Sequence, residues 1–283
     1  MNPNHTYIIA EIGSNHDQSL TRAMELISSA KSAGADAAKF QLYRADSLVE
    51  RRNAEAYREV YEATEMPVTW LPRLKEYCVY LKIDFMCTTY DEWGVGLVAP
   101  YVDLFKVASF ELTDHKLLLF LRDTSIITRK QVVLSTGMGN MAEVLKAVQI
   151  IGFDNLAYVL HCTSAYPCQL EDANLTAITI LQKALHPLLN DYPWVPTYIG
   201  LSDHTTSILT ASIAVGLGAR AIEKHLTDDK TRKGPDHHFA VEPHEFKKMV
   251  DMIREAEILL GDGEKRARDS EEEMMKYRSY SEE

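Results

Sequence analysis

Two lysines, Lys39 and Lys106, stand inside runs that are otherwise apolar, GADAAKFQ and LFKVASF. A buried ammonium group is costly unless it is paired or hydrogen-bonded. Together with the hydroxyls of Ser109, Ser135 and Ser202, the two lysines suit a cradle for a phosphate or carboxylate; the alternative is that each snorkels to water past an apolar stem. Lys106 and Ser109 are three residues apart and face opposite ways on a regular strand, so they converge only if the strand ends or bends near Ala108. His204 and His225 close two consecutive apolar runs. Neutral imidazoles on neighbouring strand ends can share a divalent ion with oxygen ligands or water, or can form a structural pair. Glu223 and Asp236 supply carboxylates nearby, and the adjacent His237 and His238 rank second as ligands because neighbours in an irregular loop often point apart.

These residues need elements to position them. Short apolar segments recur near residues 7–13, 36–41, 84–89, 104–110, 131–137, 158–164, 198–204 and 219–227, most of them followed by a helical pattern. Ser19 to Ala33 places Ala23, Leu26, Ile27 and Ala30 on one face with Gly34 beyond, and 243–260 keeps Phe246, Met249, Val250, Ile253 and Ala256 at helical spacing. Eight strand-then-helix units predict a single-domain (β/α)₈ TIM barrel, closed by the helix 243–260. The rival is a doubly wound sheet, disfavoured because no GxGxxG turn follows the first strand. The stretch 42–70, with Arg44, Arg51, Arg52 and Arg58, is long for a connection. It reads either as a lid or rim on the catalytic face or as a surface excursion with its own short helix.

Nearly every predicted strand ends in polar residues, among them Glu11, Gln41, Thr88, Glu111, His161 and Ser164. A barrel gathers its C-terminal strand ends on one rim, which predicts an active site there. Cys162 beside His161 makes a poor nucleophile dyad, since consecutive strand residues face opposite ways. In Thr136-Gly137-Met138-Gly139, backbone amides at a strand end can help hold an anion.

The 283 residues carry 41 acidic against 30 Lys and Arg, a net charge of −11. That balance disfavours duplex nucleic acid as a partner but leaves room for a small anion. No apolar run is long enough for a membrane span, and the N-terminus lacks a signal peptide's basic region. Four cysteines without CxxC spacing suit a reducing cytoplasm.

The motifs AEIGSNHDQSL, GADAAKFQ, FKVAS, LSTGM, LHCTSAYP, GLSDHT and EKHLTDDKTRKGPDH occur in an order that resembles the sialic acid synthase family. The resemblance runs over nearly the whole chain. It implies a (β/α)₈ barrel that condenses phosphoenolpyruvate with an N-acylated hexosamine, such as N-acetylmannosamine, to a nonulosonic acid and inorganic phosphate. Lys39, Lys106, Ser109, Ser135 and Ser202 would hold phosphoenolpyruvate. His204 and His225 would hold a divalent metal, manganese in the first place, with magnesium or cobalt as alternatives. Glu11, Gln41, Thr88, Glu111, Tyr166 and Asp236 would contact the sugar or line the reaction centre, with Glu11 or Glu111 handling the proton. Ser164 stands where sialic-acid-making relatives commonly have Asn, which leaves the acyl sugar open. Such relatives carry a C-terminal antifreeze-like domain; here the sequence stops soon after Arg278-Ser279-Tyr280. The expectation is then a barrel closed by the 42–70 arginines or by a separate capping polypeptide, with a homodimer as a further possibility. The rivals are a barrel aldolase working through a lysine imine and a non-catalytic barrel subunit that needs a partner.

Overall fold

Alternating side chains close a parallel sheet on itself. In the computed structural model, which describes residues 5–189 and 198–279, the strands are Tyr7–Gly13 (β1), Ala37–Leu42 (β2), Asp84–Thr89 (β3), Leu104–Val107 (β4), Val132–Ser135 (β5), Leu156–Cys162 (β6), Tyr198–Asp203 (β7) and Ala221–His225 (β8). Each pairs with the next, and β8 pairs back with β1, so the eight form the expected closed barrel. Around them lie Leu20–Ala33 (α1), Ala45–Arg52 (α2), Arg58–Thr64 (α3), Leu71–Leu81 (α4), Glu92–Val98 (α5), His115–Thr128 (α6), Met141–Ile151 (α7), Ala177–Leu189 (α8), Leu209–Gly216 (α9) and Pro243–Leu260 (α10). Among the described residues, no helix is long and apolar enough to cross a membrane.

Local sequence sets the helix ends. The Ser19 side chain accepts the Arg22 amide at the start of α1, and Gly34 stops that helix at a φ of 95°. Asn140 and Glu143 form a reciprocal capping box at α7, as Glu242 and Glu245 do at α10, where Pro243 occupies the first turn.

Strand residues of one parity, such as Ile8, Phe40, Phe85, Leu134 and Ile222, pack outward into the layer of helices. Those of the other parity, including Ile9, Ala37, Met86, Val133 and Leu160, form a smaller cluster inside the barrel. Continuing that inner parity toward the C-terminal ends gives Glu11, Lys39, Thr88, Lys106, Ser135, Ser202 and Glu223. The barrel interior is thus apolar below and ionisable above.

Several strands are shorter than their sequence patterns. β4 stops at Val107, and Ser109–Glu111 form a tight 3₁₀ turn, so Lys106 and Ser109 reach the same cavity. β5 stops at Ser135 because the chain turns through Gly137 and Met138, the latter at a φ of 28°. β8 ends at His225, beyond which Leu226 makes only an isolated bridge to Val241.

Lys224 points to the face of β8 opposite Glu223 and His225. Its ammonium group donates to Asp203 Oδ2 at 2.7 Å, to the Ser207 carbonyl at 2.9 Å and to the Thr205 carbonyl. Asp203 in turn accepts the Thr205 amide at 2.9 Å. This buried pair ties the loop after β7 to β8 and so fixes the two strand ends that carry His204 and His225. Removing one partner strands a buried charge, so Lys224→Ala should lower the unfolding free energy by about 3–5 kcal/mol. Urea denaturation checks this; a loss below about 1 kcal/mol would mean that the pair is not structural.

Candidate active site

The C-terminal ends of the strands open into a cavity of about 280 Å³. Four buried charges stand at its base. Lys39 Nζ lies 2.8 Å from Glu11 Oε2, donates to Thr88 Oγ1 at 3.1 Å and is 3.5 Å from Glu223 Oε1. Lys106 Nζ donates to Ser135 Oγ at 2.7 Å and to the Val107 carbonyl at 3.0 Å, with Glu223 Oε1 at 3.8 Å. Ser202 Oγ donates to Glu223 Oε1 at 3.1 Å. Burial opposes the charge on Lys39, but Glu11 and Glu223 more than restore it and hold its pKa above the ordinary lysine value. For Lys106 burial prevails, aided by Lys39, and its pKa lies below that value despite Glu223. Burial raises Glu11, with Glu223 adding and Lys39 opposing; Glu223 is held low because Lys106 and Lys39 outweigh its burial. Lys106 is therefore the cation with unfilled demand for an anion.

The turn after β5 completes the cradle. The Gly137 amide donates to Ser109 Oγ at 3.1 Å. A Cβ at Gly137 would fall 2.7 Å from Ser109 Oγ and 2.1 Å from Ser164 Oγ, so only glycine fits between the two hydroxyls.

His204 and His225 face each other across the cavity wall, with ring centroids 5.5 Å apart and Phe239 packed on both. His204 Nδ1 is 2.8 Å from the Thr163 carbonyl, which can only accept, so Nδ1 carries a proton and Nε2 is the nitrogen left for a cation. Burial opposes charge on this ring, but Cys162 and the Thr163 carbonyl outweigh it and hold the His204 pKa above the ordinary histidine value. Burial pushes His225 well below the usual histidine range, and its buried Nδ1 has no hydrogen bond, with Asp236 Oδ2 at 3.6 Å. Two imidazoles beside a carboxylate are a fitting donor set for a divalent cation, whose binding would require His204 to give up its Nε2 proton. Among the described residues no three His, Cys, Asp or Glu side chains form a ready-made cluster, so water and substrate oxygens would complete the shell.

The 42–70 segment folds as α2 and α3, joined by a short 3₁₀ turn, and both expected readings meet in it: it has its own helices and it covers the cavity mouth. Leu48, Arg52, Tyr57, Tyr61 and Thr64 line the cavity. Arg52 donates to Glu111 Oε1 at 2.9 Å and lies 4.3 Å over the Phe110 ring and 5.0 Å over that of Tyr90. Tyr90 donates to Gln41 Oε1 at 2.7 Å, and Gln41 donates to Glu11 Oε1 at 2.7 Å, so an aromatic and amide chain joins the lid to the cradle. The other arginines pair elsewhere: Arg44 with Asp91, Arg51 with Asp114, and Arg58 with Glu55 and Asp46.

Of the residues singled out from sequence, Glu11, Lys39, Gln41, Thr88, Lys106, Ser109, Ser135, Tyr166, Ser202, His204, His225 and Asp236 line this one cavity. Glu111 does not: it lines an adjoining outer cleft, which separates it from Glu11. Ser164 lines neither and is tucked behind Gly137. His161 turns outward and bonds the Ala173 carbonyl at 2.9 Å. His237 bridges Thr227 Oγ1 at 2.7 Å and Asp17 Oδ1 at 2.9 Å, holding two rim loops together. Cys162 faces the cavity, with Sγ 3.8 Å from His204 Nδ1 and 3.4 Å from Ser109 Oγ. Glu223 sits at the centre of the charge cluster although the sequence reading left it as a nearby carboxylate; its position two residues before His225 on one strand was the signal. Nothing in the pattern marked Tyr61 or Tyr90, and Arg52 was one of four arginines of the 42–70 stretch with nothing to single it out.

A closed parallel barrel whose C-terminal mouth joins an anion cradle to a pair of imidazoles defines a barrel enzyme that acts on a small anionic substrate. The chain belongs to the NeuB family, whose model matches residues 26–265. It is 37% identical to the N,N'-diacetyllegionaminic acid synthase of Legionella pneumophila over 94% of this chain and 76% of that protein. It is 39% identical to an uncharacterized protein of Methanocaldococcus jannaschii over 95% of this chain and 76% of that one. Among solved structures, the N-acetylneuraminic acid synthetase of Leptospira borgpetersenii, in complex with citrate, superposes with a TM-score of 0.85 at 32% identity, covering 97% of this chain and 91% of that one. The expected resemblance is thereby borne out.

The depressed Lys106 gives the cradle a pH dependence. An anion binds the ammonium form, so affinity falls as pH rises through the lowered Lys106 pKa, before an ordinary lysine would deprotonate. Sulfate, which does not titrate in this range, should bind more weakly at pH 9.5 than at pH 7 by calorimetry. Lys106→Met should bind sulfate about tenfold or more weakly and lose that pH dependence. An equal pH slope in the variant would remove Lys106 from the cradle.

Proposed function

We propose that this chain is a nonulosonic acid synthase that condenses phosphoenolpyruvate with the aldehyde form of an N-acylated hexosamine and uses manganese. The observation that carries the reading is a single cavity joining the buried lysine pair, flanked by Ser109, Ser135 and Ser202, to the two imidazoles. Lys39, Lys106 and the three serines bind the phosphate and carboxylate of phosphoenolpyruvate. His204 and His225 hold the divalent cation, which when bound supplies Lewis acidity toward the aldehyde oxygen. Gln41, Thr88, Tyr166 and Asp236 orient the sugar so that its aldehyde carbon faces the methylene carbon of phosphoenolpyruvate.

A bond forms between those two carbons while the aldehyde oxygen gains a proton. Water adds to C2 and releases one proton, and the C2–O bond to phosphate then breaks as the C2 hydroxyl passes its remaining proton to the departing phosphate, leaving a 2-keto acid and inorganic phosphate. Lys39 and Lys106 offset charge on the departing phosphate. Glu11, raised by burial and facing the inner cavity, is placed to pass the proton; Glu111, outside that cavity, acts on the sugar through Arg52. Lys39, already engaged with Glu11, Thr88 and Glu223, has no free amine for an imine.

Phosphate release from phosphoenolpyruvate should require both an N-acylated hexosamine and a divalent metal, and should be highest with Mn²⁺. His225→Ala should lower kcat/KM about 100-fold or more, and Lys106→Met should act mainly on the KM for phosphoenolpyruvate. No sugar-dependent phosphate release with any metal would overturn the proposal. A borohydride-trapped substrate adduct on Lys39 or Lys106 would replace it with imine chemistry.

A further inference from the structure

The side-chain amide of Gln41 joins the aromatic cluster under the excursion to the buried charges. Its Nε2 donates to Glu11 Oε1 at 2.7 Å, and its Oε1 accepts the Tyr90 hydroxyl at 2.7 Å. The chemistry at the two ends fixes the sense of this amide. Glu11 is ion-paired with Lys39 at 2.8 Å, and a carboxylate only accepts, so the amide must present an N–H group there. The carbonyl oxygen then faces Tyr90, whose phenol is kept protonated by burial against the pull of Arg52 and so can donate. A reversed amide would set an oxygen against the Glu11 carboxylate with no proton between them.

The sense of the amide also decides what the cavity offers a ligand. Gly13 sits at a φ of 54°, and the point where a Cβ would lie is 3.1 Å from Gln41 Nε2, from Glu11 Oε1 and from Asp236 Oδ2. A side chain here would fill the space on which the three groups converge. As the amide stands, that space has one N–H donor between two carboxyl groups. With the amide turned over it would be bounded by three oxygens.

The Tyr90 ring is held independently of Gln41. It is buried, meets Tyr43 edge-on with centroids 5.7 Å apart, and lies 5.0 Å from the Arg52 guanidinium. Tyr43 directs its own hydroxyl to Thr64 Oγ1 at 2.7 Å, so among the described residues Tyr90 alone donates to Gln41 Oε1. We infer that Tyr90 is a positioning residue: its hydroxyl locks the Gln41 amide in the sense that keeps an N–H group on Glu11 and the nitrogen on the space above Gly13. Its consequence for turnover rests on the condensation proposed above; the lock itself does not.

The lock is read by ¹⁵N NMR of protein labelled in its glutamines, with the Gln41 side-chain signal assigned by its loss in Gln41→Met. Tyr90→Phe removes one hydroxyl and keeps the ring. It should speed solvent exchange of the Gln41 amide protons about tenfold or more, whereas Tyr43→Phe, which takes a hydroxyl from the same cluster, should change it less than about twofold. The kinetic arm is phosphate release from phosphoenolpyruvate and Mn²⁺ with N-acetylmannosamine. Tyr90→Phe should lower kcat about tenfold while the KM of phosphoenolpyruvate moves less than about twofold, and in the Gln41→Met background the same substitution should lower kcat less than about twofold. Three results each overturn the inference: Gln41 exchange in Tyr90→Phe within about twofold of wild type, an equal acceleration in Tyr43→Phe, or a kcat loss that is absent or persists undiminished in Gln41→Met. Absence of sugar-dependent phosphate release in the wild type instead sinks the condensation, and the exchange measurement still decides the lock, so the two failures are distinct.

Discussion

Two ammonium groups buried at the mouth of a closed barrel are the constraint on which the rest of this site depends. Neither could be removed from water without compensation. Glu11 and Glu223 provide it, yet unequally: Lys39 is held by both at short range, whereas Lys106 touches only neutral acceptors and sees Glu223 at 3.8 Å. The imbalance leaves one cation whose surroundings favour an added anion. A fully compensated quartet would have made a stable plug at the end of the barrel, and an uncompensated one would have destabilised the fold.

The quartet exists because of register. Glu11 lies opposite Lys39 on β2 and opposite His225 on β8, Gln41 opposite Thr88, and Thr88 opposite Lys106. These pairings are backbone facts, set by parallel hydrogen bonds around a closed sheet. A slip of one residue would send Lys39 and Lys106 into the apolar layer beneath the helices. The imidazoles obey the same rule from the other side of the circle, and the buried Lys224–Asp203 pair secures their two strands from behind.

Eight short apolar segments alternating with helical patterns made the barrel and its strand count legible, and the polar residues that end those segments pointed to the rim on which Lys39, Lys106, Ser135 and Ser202 meet. The closing helix was legible to its ends, Pro243–Leu260, because Pro243 and Gly261 punctuate it. Strand ends were less so, since Thr136 and Ser109 prolong a strand-like pattern that the backbone abandons for turns. Ser164 shows the cost: it keeps the parity of Leu160 and Cys162 but lies past the end of β6, where parity no longer reports direction. The same limit hid Tyr61 and left Arg52 undistinguished among the four arginines of the 42–70 stretch. Their side chains face the cavity only because α2 and α3 fold back over the mouth, and no sequence period encodes the angle of a helical excursion.

That difference in legibility is also a difference in mechanical role. The cradle and the imidazoles are carried by or adjoin strand ends that are bonded on both sides, so altering their geometry means altering the barrel. The outer cleft rests on α2, α3 and the turn at Ser109–Glu111, which join no strand ladder and are held by side-chain contacts such as Arg52 with Glu111 and Tyr43 with Thr64. The buried cations therefore sit on the sheet, and the residues that cover the mouth sit on the excursion. The two meet through the chain Tyr90–Gln41–Glu11, along which occupancy of the mouth can be felt at Lys39.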